Sequence, residues 1–175
     1  QTQSKSYNKG QSYDKWDTSG PTWGDHDNFP LRRQMLGCSD ANKLLELLEL
    51  HRSDLIAADT AAAWHVAIRQ KLISLAKTDN SNQSESLSKK LLQLTERHAK
   101  DMDAASLATT AWALAASQRG SIKHMKSVLQ FAENRLTSFR PQELCILLWA
   151  ANAHECVPQN VQHTAFTALA KVVKS

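Results

Sequence analysis

One stretch of this chain is written twice, and that repetition constrains the fold more than any other feature. Leu91 to Gly120 (LLQLTERHAKDMDAASLATTAWALAASQRG) and Val128 to Val157 (VLQFAENRLTSFRPQELCILLWAANAHECV) align without a gap at a constant offset of 37. Leu92 falls on Leu129, Gln93 on Gln130, Glu96 on Glu133, Met102 on Phe139, Leu107 on Leu144 and Trp112 on Trp149. A third copy, Leu44 to Ile68, aligns on Leu91 to Ala115 at an offset of 47, with His65 in the Trp112 slot. The polar run Thr78 to Glu85 (TDNSNQSE) absorbs the ten extra residues as a loop. Repetition on this length scale marks a supersecondary unit that cannot bury its own apolar face and is completed by its neighbours.

The units read as helical hairpins. Alanine and leucine dominate the apolar residues, whereas the chain has five glycines and four prolines, a balance that favours helix over strand. From Ser39 to about Arg52, Leu44, Leu47, Leu48 and Leu55 form an i, i+3, i+4 stripe behind a Ser-Asp cap. The next helix, about Ala57 to Lys77, carries Ala61, Trp64, Ile68, Leu72 and Leu75 and is expected to be the longest. Leu87 to His98 and a helix capped by Asp103 and ended by Gly120 make the second unit. Ser121 to Leu136 and a helix opened by Pro141 and closed near Pro158 make the third. A last amphipathic helix, Asn160 to Val173, is half of a fourth unit or a cap. The predicted architecture is therefore all-α: an α-solenoid of about three hairpins (units 39–77, 87–120 and 121–157) plus a terminal helix at 159–174. Trp112 and Trp149 are expected in its core.

Residues 1–38 are different material, rich in Gln, Ser, Asn, Gly and Asp without apolar periodicity, and are expected to be a disordered tail. Its spaced aromatics, Tyr7, Tyr13, Trp16, Trp23 and Phe29, offer stacking groups, against the plainer reading of a linker. The chain begins at Gln1, so it is expected to be a processed product or a fragment. Three scattered cysteines argue for a reducing compartment and against a disulfide framework. No run approaches the roughly 18 apolar residues of a membrane span.

The residues themselves carry a family resemblance. Phe139-Arg-Pro-Gln-Glu-Leu-Cys-Ile-Leu-Leu-Trp-Ala150 and Met102-Asp-Ala-Ala-Ser-Leu-Ala-Thr-Thr-Ala-Trp-Ala-Leu-Ala115 resemble the octotricopeptide repeat. The likeness covers Ser39 to Ser175, and the first unit is similar to degenerate repeats of organellar RAP-domain proteins. It departs from the pattern at Ala104, Ala105 and Ser106, and at Thr109 and Ile146, where the family often has Asn; no RAP domain is present. The resemblance implies binding of single-stranded RNA (organellar mRNA or rRNA) in a mitochondrion or chloroplast, serving transcript maturation, stability, splicing or translation. The alternative is a protein–protein scaffold or a structural subunit of an organellar ribosome or other complex.

A physical route to RNA exists, since successive repeats can offer matched side chains to successive bases while cations follow the phosphates. Candidate base-facing residues are Ser106, Gln142 and Glu143 at helix starts, with Gln93, Gln130 and Arg97 on the partner helices. Phosphate candidates are Lys89, Lys90, Lys100, Lys123, Lys126, Arg135 and Arg140. The charge distribution agrees: five Lys/Arg against seven Asp/Glu from Ser39 to Ser86, but eleven against six from Leu87 to Ser175. Nothing in the sequence looks catalytic, and an enzyme is not expected unless a catalytic domain follows residue 175. There is no glycine-rich phosphate loop, nucleophile elbow or HExxH, and Asp101 with Asp103 fits helix capping. Cys145, His154, Cys156 and His163 do not have zinc-site spacing. No metal, cofactor, small-molecule substrate or membrane is expected.

Overall fold

The computed structural model describes residues 30–73, 82–117, 122–154 and 159–174, and among them there is no strand. Eight α-helices follow in order: α1 (Pro30–Leu36), α2 (Ala41–Leu50), α3 (Ala57–Arg69), α4 (Asn82–His98), α5 (Ala104–Ser117), α6 (Ile122–Glu133), α7 (Pro141–Ala153) and α8 (Gln159–Lys174). Short 3-10 turns at Ala99–Asp101 and Leu136–Ser138 lead into α5 and α7. The second helices form one row, with α5 lying between α3 and α7; α2, α4 and α6 form the other, and α8 packs on α7.

The core runs along the seam between these rows. Leu44, Leu48, Trp64, Leu87, Leu91, Leu107, Leu114, Met125 and Leu129 are all shut off from solvent. Alanines at the centre of the second row (Ala61, Ala63, Ala108, Ala111, Ala150 and Ala151) are fully buried, letting three backbones approach closely. Polar links cross the seam where a polar atom is buried. The Trp64 indole N–H donates to Thr95 Oγ1 at 2.8 Å, and Thr95 donates to the Leu91 carbonyl at 2.9 Å. Thr60 Oγ1 and His98 Nδ1 lie 2.8 Å apart, and burial pushes the His98 pKa below its ordinary value.

Each second helix starts with its own clasp, at matched positions. The residue before the helix cap is apolar and buried in all three units: Leu55, Met102 and Phe139. In α3 and α7 a carboxylate three residues into the helix reaches back: Asp59 Oδ2 accepts from the Ile56 N–H at 3.1 Å, and Glu143 Oε2 from the Arg140 N–H at 2.8 Å. In α5 the direction is reversed, as Asp103 Oδ1 accepts from the Ser106 N–H at 2.8 Å. Asp103 thus caps α5, as the sequence predicts.

Several sequence expectations are corrected. The tail was expected to run to residue 38, yet residues 30–36 form α1, which packs on α3. Met35 is fully buried, and the buried Arg32 donates through Nε to Asp59 at 2.8 Å; only residues 1–29 of the expected tail lie outside the described residues. The helix expected from Ala57 to Lys77 ends at Arg69. There Lys71 adopts φ 55°, with Leu72 N–H donating to Ala67 and Lys71 N–H to Ile68, the paired bonds of a left-handed helix stop made without glycine. The chain turns back and buries Ile73, and the 17-residue α4 is longer than the 13-residue α3. The polar run expected as a loop to Glu85 is helical from Asn82 onward; its residues 78–81 lie outside the described residues. Trp112 and Trp149 are half-buried against the core, and among the described residues the fully enclosed tryptophan is Trp64.

Candidate nucleic-acid interface

The outer faces of α4 and α6 hold most of the predicted RNA-binding residues that solvent can reach. In α4, Leu87, Leu91 and Leu94 point into the core, so Lys89, Gln93 and Arg97, spaced by four, are forced onto the opposite, exposed side, and Lys100 is exposed in the 3-10 turn that follows. In α6, Met125, Val128, Leu129 and Ala132 face inward and Lys123, Lys126 and Gln130 are exposed. The two helices are neighbours, and Glu96 of α4 joins them, 3.7 Å from Lys123 Nζ and 3.4 Å from His124 Nε2. Lys89 meets Glu85 one turn earlier at 2.7 Å.

These positions repeat. The offset of 37 carries Lys89 onto Lys126 and Gln93 onto Gln130, and all four are exposed. The same register reaches Asn42 and Glu46 on α2 and His163 and Thr167 on α8, again all exposed. Those four positions were missed by reasoning from charge and helix starts; the repeat offset was the signal that could have found them. On α2, α4, α6 and α8 in turn, the paired polar positions read Asn/Glu, Lys/Gln, Lys/Gln and His/Thr.

Other predicted residues are occupied elsewhere. Ser106 is buried, and its backbone N–H is held by Asp103, so it cannot face a base. Glu143 is buried too, accepting the Arg140 backbone N–H together with the Arg140 guanidinium at 2.6 and 2.8 Å. Arg140 is thereby tied to a cap rather than left for phosphate. Lys90 is 9% exposed and bridges to Glu49 of α2, whose carboxyl that hydrogen bond holds below its ordinary pKa. Arg135 donates to the Met102 and Lys100 carbonyls at 2.5 and 2.6 Å, fastening the turn before α5. Gln142 is exposed at the start of α7, in the second row, and so is separate from the α4–α6 face.

The second row exposes a different surface. His65, Trp112 and Trp149 sit at matched positions on α3, α5 and α7, all half-buried, with the His65 and Trp112 rings 6.0 Å apart at 44°. At the α7–α8 end lies an open cavity of about 390 Å³ lined by Cys145, Leu148, Trp149, Asn152 and Gln162. No helix among the described residues is long and apolar enough to cross a membrane. No protein-family model, curated protein or solved structure matches the chain.

Proposed function

We propose that the chain is an α-solenoid of helical hairpins that holds single-stranded RNA along the outer face of its first-helix row, as an organellar factor in transcript maturation, stability, splicing or translation. The observation that carries this reading is the repeated pair Lys89–Gln93 and Lys126–Gln130, exposed on adjacent helices. A lysine and an amide four residues apart supply a phosphate cation and a base-edge donor–acceptor on one helix face. Repetition from unit to unit gives the one-ridge-per-base logic of modular RNA readers. Glu85 and Glu96 are partners that a phosphate would displace, and exposed ion pairs of this kind are worth about 0–1 kcal/mol, so exchange is cheap. The mitochondrial or plastid setting and the transcript-level role come from the repeat's resemblance alone.

The test is fluorescence anisotropy of short labelled single-stranded RNAs across a salt series. Five cations on the face (Lys89, Arg97, Lys100, Lys123 and Lys126) predict a slope of log K against log salt of about −3.5, at roughly −0.7 per phosphate neutralised on a single strand. Replacing Lys89 and Lys126 together with Gln reduces that slope by about 1.4. Absence of binding at low salt, or binding indifferent to salt, overturns the reading. A scaffold or subunit role is the second reading, favoured by the half-exposed apolar edge at α7 and α8.

A further inference from the structure

The repeat register shows what is unusual about that edge. In the second-helix row, Ala61 of α3, Ala108 of α5 and Cys145 of α7 are matched positions; the first two are fully buried and Cys145 is half-buried. Trp64, Ala111 and Leu148 are matched likewise, fully buried in α3 and α5 and half-buried in α7. The third set, Ile68, Ala115 and Asn152, passes from half-buried to buried to exposed. In the first two units the next helix of the row packs on this one, α5 on α3 and α7 on α5.

The first-helix row gives an independent reading of the same surface. Continuing the offset of 37 from α6 places Gln162 on Met125 and Phe166 on Leu129. Met125 and Leu129 are 0% and 1% exposed, whereas Gln162 is exposed and Phe166 is 56% exposed. Gln162 lines the cavity against α7, so it faces the same opening as Cys145 and Leu148. Two helices therefore present, at repeat-matched positions, side chains more exposed than their counterparts within the stack.

We propose that the α7–α8 edge is a docking surface for one amphipathic α-helix of a partner protein, seated as α5 sits on α3 and α7 on α5. The occupant follows from the two interfaces already formed, which this edge continues. Its contacting side is expected to repeat the buried pattern of α7 (Leu144, Leu147, Ala150 and Ala151): leucines three apart followed by small residues. Cys145, Leu148, Trp149, Asn152, Gln162 and Phe166 carry no charge, which suits an apolar helix and not a polyanion. The proposal rests on the stacked-hairpin reading and is independent of the RNA reading, whose failure in the anisotropy assay leaves it standing.

The experiment appends a copy of the Phe139–His154 sequence after Ser175 of the full chain through a short Gly/Ser linker, which keeps the added helix at high effective concentration. Alkylation of Cys145 is followed by peptide mass spectrometry. The expected result is about tenfold slower modification of Cys145, the factor that corresponds to a docking free energy of about 1.4 kcal/mol. A control fusion whose appended residues matching Leu144 and Leu147 are both Asp gives no slowing. F166D, made at an exposed position in the chain itself, removes the protection while the helical circular dichroism is retained. Equal rates in the fusion and its control overturn the proposal. So does protection of Cys145 that grows with concentration of the unfused chain, which assigns the edge to a second copy, or protection by RNA, which assigns it to the nucleic acid.

Discussion

Replacing Thr95 with Val tests the seam between the two helix rows at one atom. Thr95 is buried on α4 and accepts the indole N–H of Trp64, the largest fully enclosed side chain, from α3. Valine keeps the volume and, within a few tenths of a kcal/mol, the helix propensity, so the substitution removes little except the acceptor. The indole N–H is then buried without a partner, at a cost of about 1–3 kcal/mol. Losing the Thr95 bond to Leu91 matters little, because that carbonyl sits within α4 and keeps its place in the helix ladder. Trp64→Phe removes the donor and part of the ring, leaving a cavity; about 2 kcal/mol is expected, below the 3–5 of truncation to alanine. The double variant is the informative one. With phenylalanine at 64 there is no N–H to strand, and the valine methyl meets an apolar neighbour. The pair should therefore cost about 1–2 kcal/mol less than the sum of the single changes. Urea denaturation of the four proteins at one pH measures this, and Tm should follow at roughly 2–4 °C per kcal/mol for a chain of this size. Strict additivity would refute the packing of α3 on α4 described above.

Other expectations follow from single contacts. Lys71→Gly should stabilise the fold by about 0.5–1 kcal/mol in chemical denaturation, because the left-handed conformation at φ 55° strains any residue with a side chain and suits glycine. Arg32→Met should cost about 3 kcal/mol by leaving the Asp59 carboxylate buried without its guanidinium, and a loss near zero would mean that α1 is not an integral part of the core. Asp103→Ala should cost about 1 kcal/mol through the lost cap of α5, read from the same denaturation curves. His98 gives a pH dependence. Its folded pKa is lowered by burial, so the unfolded chain binds the extra proton first; stability is full above the ordinary value of 6.5 and declines as pH falls through and below it. His98→Gln should flatten that decline in Tm measured between neutral and mildly acidic pH.

Much of the architecture was legible because the sequence repeats it. The offset of 37 located the helices, the Leu/Ala stripes assigned their inward sides, and Asp103 and Pro141 marked helix starts that the molecule uses. What sequence reading missed depends on partners distant in the chain. Residues 30–38 do place Leu31, Met35 and Cys38 at i, i+4 and i+7, a period too short to stand out beside the polar tail, and α1 is held by Met35 in the core and by Arg32 reaching Asp59. Polar residues at helix starts looked available for a ligand, yet three residues into a helix is where a side chain folds back on its own cap, which is the fate of Glu143. Lys90 is drawn inward by Glu49 and Arg135 by two carbonyls, and charge counting cannot distinguish such residues from the exposed Lys89 and Lys126. The α4–α6 face was half readable: its residue types were found from composition, its repetition only from the register.

The clasps at the starts of α3, α5 and α7 have a bearing on how such a chain can change in length. Each closes between residues three apart, so a second helix brings its own starting signal when it is copied or deleted, even though Arg32 also holds Asp59 and Arg135 the turn before α5. That a carboxylate serves from either end of the clasp, at Asp103 in one unit and at Glu143 in another, lets the sequence drift while the boundary stays in place. A gene for this protein could gain or lose whole units and still specify where each second helix begins.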